Sequence, residues 1–184
     1  MTFTSLASLA VMLPLASAVL PAQAPVVGLE TTVLTGVNVV PMDSPRVLRD
    51  QAIVVEGGRI VAIGPRSSSS IPAGATTRDL AGSWVMPGLI DMHVHLFSED
   101  ELPLYLDAGI TTVRNMWGWD MHLELRQAVR DGRLPGPHIV TTGALIDGDP
   151  PMLRGSAAVT TPAAADSVVA AQKAAGFDGI KIYN

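Results

Sequence analysis

His93 and His95 stand two residues apart in Gly88-Leu89-Ile90-Asp91-Met92-His93-Val94-His95-Leu96, an apolar stretch that follows Pro87. Successive side chains of an extended strand point to opposite faces, so both imidazoles emerge on the same face. Two imidazoles converging in this way can hold a divalent ion through nitrogen. The same pair can also be two core histidines satisfied by hydrogen bonds, and the motif alone leaves both readings open. Lys181 is the second informative residue. It lies in Gly179-Ile180-Lys181-Ile182-Tyr183, where Ile180 and Ile182 take one face and Lys181 and Tyr183 the other. A lysine turned toward a core is costly unless paired or uncharged. Burial of an amine favours its free form, and a free amine can add carbon dioxide to give a carbamate, an anionic oxygen ligand able to bridge two metals. The competing reading is a lysine that snorkels out of the strand end or pairs with a carboxylate.

The remaining polar residues carry weaker signals. His122 shares a helix face with Arg126 and Arg130 and is expected to be a solvated surface residue. His138 follows Pro137 at the start of a strand, at the end away from the chemistry of a barrel. Trp117 and Trp119 follow a strand and either line a pocket or pack under a loop. Residues 143–155 are long for a strand-to-helix connection and make a candidate substrate loop, with Asp149 and Arg154 as candidate contacts.

The elements that must position these residues are legible as a pattern. Residues 32–40 are rich in β-branched side chains, and residues 51–55 and 59–63 flank Gly57-Gly58, a two-residue hairpin signal. Short strands are expected at 77–80 and 83–86. After Pro87-Gly88 strands and helices alternate: strands at 89–96, 110–114, 139–142 and 179–183, and helices at 99–107, from Asp120 to before Gly132, and from Thr161-Pro162 to Gly176. The second helix carries the apolar stripe Met121, Leu125, Ala128 and Val129. Such β-then-α repetition implies a parallel sheet with right-handed crossovers. Four units make half of a (β/α)8 barrel, which takes about 250 residues in full. The expected organisation is α/β: a small β-sandwich-type domain over residues 25–86, then the first half of a TIM-like barrel over 87–184. A half-barrel leaves strand edges unpaired, so the chain made alone is expected to aggregate or to form a homo-oligomer through them.

Composition narrows the function. The 184 residues are 48% hydrophobic and 16% charged, which excludes a disordered chain, and the net charge of -5 with no basic patch excludes a nucleic-acid partner. With no cysteine, disulfides and thiolate metal sites are excluded, leaving nitrogen and oxygen ligands. Residues 1–24 carry no charge, contain an apolar run over 6–20 and end in Ala22-Gln23-Ala24, the pattern of a secretory signal peptide. Pro14 breaks that run, which is short for a stable membrane span. A secreted or periplasmic location is therefore expected.

Val85-Met86-Pro87-Gly88-Leu89-Ile90-Asp91-Met92-His93-Val94-His95-Leu96 resembles the first-strand signature of the amidohydrolase superfamily. Ala52-Ile53-Val54-Val55-Glu56-Gly57-Gly58-Arg59-Ile60-Val61-Ala62-Ile63-Gly64 is similar to the small β domain that precedes it there. Ala108-Gly109-Ile110-Thr111-Thr112-Val113-Arg114 resembles the family's second strand. The loop Ile146-Asp147-Gly148-Asp149-Pro150-Pro151 resembles the imidazolonepropionase-like branch. The resemblance implies that His93 and His95 are metal ligands and that Lys181 matches the fourth-strand lysine that binuclear members use as a carbamate. It implies one or two divalent ions, zinc first, and hydrolysis of carbon–nitrogen bonds in amide, dipeptide or cyclic-amide substrates by metal-activated water. In complete relatives two further histidines come from strands five and six and an acid–base aspartate from strand eight, positions beyond this sequence. Relatives often carry Asp where Asn115 stands, so a role resting on that charge is not expected here. Two readings follow: an exported hydrolase of small amide or peptide substrates, or an inactive remnant lacking the later ligands.

Overall fold

A computed structural model describes residues 30–183 and divides them into two compact units. The expected leader lies outside the described residues, and no helix among those described is long and apolar enough to cross a membrane.

The first unit is one five-stranded sheet. β1 (Thr32–Val39), β2 (Leu48–Glu56), β3 (Arg59–Pro65) and β4 (Thr76–Asp79) lie in the order β3-β2-β1-β4, and β5 (Trp84–Val85) also pairs with β1. Period-two alternation buries Val33, Thr35, Val37 and Val39 on β1. Val33 packs with Ala52 and Val54 of the antiparallel neighbour β2. Gly57 and Gly58 both have positive φ, 54° and 75°, the requirement of the two-residue turn that joins β2 to β3 without splaying them.

The second unit builds the sheet that carries the chemistry. β6 (Leu89–Val94), β7 (Ile110–Asn115) and β8 (His138–Thr141) are parallel in that order, in a mixed α/β arrangement. A 3-10 turn (Glu99–Glu101) and α1 (Leu102–Asp107) connect β6 to β7, and α2 (Asp120–Arg130) connects β7 to β8. Val94, Leu96, Leu102, Val113, Leu125 and Ile139 form the core between sheet and helices. Of the expected stripe, Leu125 and Ala128 are buried, while Met121 and Val129 pack partly buried against the same core. β9 (Ile146–Asp147) and β10 (Ala157–Ala158) pair in the connection after β8. α3 (Pro162–Ala175) then starts where the sequence signals it. The Thr161 hydroxyl accepts from the Ala164 N–H at 3.2 Å, and Gly176 closes the helix at φ 92°.

The fourth strand is less regular than expected. Residues 179–183 touch their neighbour through two isolated parallel bridges, Thr142 with Gly179 and Ile146 with Ile182, rather than a continuous ladder. Four residue steps separate the first pair of partners and three the second, so the neighbouring strand carries one extra residue and bulges. The bridge is still firm. The Ile146 N–H donates to the Lys181 carbonyl at 2.9 Å, and the Tyr183 N–H donates to the Ile146 carbonyl at 2.9 Å.

Candidate metal centre

The carboxyl ends of β6 and of the fourth-strand segment bring three nitrogens together. His93, His95 and Lys181 line one cavity of about 230 Å³ with Tyr183, which shares the Lys181 face as the alternation requires. The His93 and His95 rings lie edge to face with centroids 5.4 Å apart. Among the described residues there is no cluster of three His, Cys, Asp or Glu side chains, so the third nitrogen here is the lysine. The backbone holds the pair from below. The Asp91 carboxylate accepts from the His93 N–H at 3.1 Å, and the Arg114 Nε donates to the Met92 carbonyl at 2.8 Å.

Desolvation, with added repulsion from His93 and Lys181, holds the His95 imidazole below its ordinary pKa. The neutral ring is the form that donates a lone pair to a metal. Neighbouring nitrogens that disfavour protonation of His95 leave its lone pair available to a divalent cation.

The cavity walls are apolar. Trp117 sits edge-on to His95 with centroids 6.3 Å apart, and Phe97, Met116, Leu145 and Leu153 complete the lining. Trp117 is thus the tryptophan that lines the pocket, whereas Trp119 is 40% exposed and stacks edge-on against His122 at 4.6 Å. The loop after β8 contributes Leu145 and Leu153 to the cavity, while the expected contacts Asp149 and Arg154 are exposed and outside its lining. No polar signal in the sequence marks those two leucines.

His122 corrects the sequence reading. It is fully buried, not solvated. Its Nε2 donates to the Leu96 carbonyl at 2.9 Å, and its Nδ1 accepts from the Trp119 N–H at 3.1 Å, which fixes the tautomer. The helical wheel placed it with Arg126 and Arg130. At the third position of α2, however, a side chain can fold back onto the helix start, and the chain leaving β6 covers it. His138 is exposed at the start of β8, the end expected.

Asn115 is also fully buried. Its Oδ1 accepts from the Leu96 N–H at 3.1 Å, and its Nδ2 donates to the Trp117 carbonyl at 3.0 Å and to Thr141 Oγ1 at 3.1 Å. An aspartate has no donor for the Trp117 carbonyl, so the amide is the group that this arrangement uses. Together His122 and Asn115 grip both backbone groups of Leu96, the residue after His95. Gly118 lets the next loop close over them: a side chain there would overlap the Thr142 carbonyl, and its N–H donates to the Gly143 carbonyl at 3.1 Å. On the far side, Asp178 accepts from the Thr141 N–H at 2.9 Å and from Arg126 at 2.6 Å, anchoring the segment that carries Lys181.

No protein-family model matches the chain. Among curated proteins it is 40% identical over 67 residues to adenine deaminase 2 of Bradyrhizobium sp. (strain ORS 278), covering 36% of this chain and 11% of that protein. It is 38% identical over 73 residues to imidazolonepropionase of Rhodococcus jostii (strain RHA1), covering 36% of this chain and 17% of that protein. Among solved structures, a chain from Bifidobacterium longum assigned as a prolidase superposes with a TM-score of 0.77 at 34% identity, covering 84% of this chain and 40% of that one. The chain therefore spans well under half the length of each of these relatives. The shared sequence and fold agree with the signature around His93 and His95 and are consistent with a partial chain of the amidohydrolase superfamily.

Proposed function

We propose that this chain is the metal-binding portion of a hydrolase that breaks carbon–nitrogen bonds in amide, dipeptide or cyclic-amide substrates. The convergence of His93, His95 and Lys181 on one cavity carries the reading. Zinc suits a set of nitrogen donors without thiolates. His93 and His95 would hold the ion, with Lys181 lining the same cavity. A neutral Lys181 amine that added carbon dioxide and lost a proton would supply an anionic carbamate oxygen as a further donor to such a site. A bound divalent cation supplies Lewis acidity, lowering the pKa of water and polarising the scissile carbonyl.

The chain's own residues bind and shield the substrate. Trp117 walls the cavity beside His95, while Tyr183 brings a hydroxyl to the same lining as Lys181. The parallel sheet is, in this reading, the first part of a (β/α)8 barrel, and the five-stranded sheet is one layer of a sandwich-type domain. This places the site at the carboxyl ends of the strands, where barrel enzymes keep theirs. Export through a cleaved leader belongs to the same reading.

The test is an assay of the complete gene product, stripped of metal and then reloaded with zinc. The panel holds Xaa-Pro dipeptides, an imidazolone-type cyclic amide and adenine, with free amino acid or ammonia as the readout. Product release that vanishes on stripping and returns with zinc is expected. No release from any member of the panel in either state would overturn the hydrolase and favour the inactive remnant.

A further inference from the structure

We propose that the substrate carries a bulky apolar group beside its scissile carbon–nitrogen bond, seated against Trp117, Leu145 and Leu153. The inference rests on the hydrolase reading above and names its substrate class. The cavity lining combines two chemistries: His93, His95 and Lys181 present nitrogen, and Trp117, Leu145 and Leu153 present indole and aliphatic carbon. Among the described residues no carboxylate and no guanidinium lines it.

The wall is built rather than incidental. Leu145 is 2% exposed and is held where the Ala157 N–H donates to its carbonyl at 2.7 Å. Leu153 is set by the carboxylate of Asp147, which accepts from the Gly148 N–H at 2.8 Å and the Met152 N–H at 2.7 Å. The Ser156 N–H donates to the Leu153 carbonyl at 3.2 Å and closes the turn. The Asp147 carboxylate is thereby spent on backbone, while Asp149 and Arg154 lie outside the lining. A charged substrate group placed here would lose hydration and find no partner, whereas an apolar group gains by leaving water.

The experiment uses the whole chain loaded with cobalt(II), whose visible spectrum reports ligands entering the site. Three hydroxamates share one metal-binding head and differ in the tail: 3-phenylpropionohydroxamate, acetohydroxamate and succinic monohydroxamate. The phenylpropionyl compound is expected to bind about ten-fold tighter than the acetyl compound, with the succinyl compound no tighter than acetyl. Leu153→Asp is expected to shrink the phenylpropionyl-to-acetyl ratio below about three-fold, and the ratio cancels any change in cobalt affinity. Equal binding of the phenylpropionyl and acetyl compounds, or tightest binding by the succinyl one, would overturn the apolar wall and leave the hydrolase reading standing. Failure of cobalt to bind, or of every hydroxamate to perturb its spectrum, would overturn the hydrolase reading and this inference with it.

Discussion

His93→Ala and His95→Ala are each expected to weaken zinc binding by roughly 100-fold or more, because even outer partners of metal ligands are worth about 10- to 100-fold. The two rings lie edge to face with centroids 5.4 Å apart in the cavity that Lys181 also lines, so removing either leaves at most two nitrogen donors. Isothermal titration of the metal-free chain and its variants measures the loss. The same titration carries a pH signature. The His95 imidazole is held below its ordinary value by desolvation, then by His93 and Lys181, so protons compete for it only at lower pH. The proton competition that His95 contributes to the pH profile of zinc affinity should therefore lie below the ordinary imidazole range near 6.5. The depressed value also makes a stability statement. The unfolded chain binds the proton more readily, so the stability that His95 contributes is present above about pH 6.5 and is lost as pH falls through the folded value. Zinc affinity in either variant within three-fold of the parent would remove that histidine's assignment as a ligand.

His122→Ala is expected to cost about 3 kcal/mol of stability, because it strips the partners from the buried Leu96 carbonyl and the Trp119 N–H together. His122→Asn separates the two bonds. Its shorter side chain can still accept from Trp119 at the helix start but does not reach Leu96. It should recover roughly 1 kcal/mol of that loss, while the strap on the residue after His95 stays broken. Chemical denaturation of the three proteins checks the order: parent most stable, then His122→Asn, then His122→Ala. Equal stability of parent and His122→Ala would mean that neither bond matters.

How much of this was legible in the sequence depends on what each residue answers to. His93, His95, Lys181 and Tyr183 obey strand alternation, a local rule, and they share one cavity. The Gly57-Gly58 turn and the Thr161 and Gly176 caps are likewise set by their own backbone geometry and came through intact. His122 failed because a helical wheel treats every position of a helix alike, while the first turn has free N–H groups that recruit side chains. The wheel also knows nothing of Leu96, which is distant in sequence and decides the burial. The fourth segment, expected as a strand, is reduced to two isolated bridges because its neighbour carries one extra residue between them, a register property that no single segment contains. Leu145 and Leu153 read as ordinary loop apolars; only the hydrogen bonds of Asp147 and the β9–β10 pairing bring them to the cavity. Asn115, suspected for a missing charge, uses the donor arm that the charge would have excluded.

Zinc K-edge X-ray absorption on the zinc-loaded chain tests the metal centre most directly. Two imidazoles are predicted in the coordination sphere, completed by lighter nitrogen or oxygen donors, with one imidazole lost in His93→Ala. A sphere with a single imidazole or none in the parent chain, or two imidazoles that persist in His93→Ala, would contradict the assignment of His93 and His95 as the ligands.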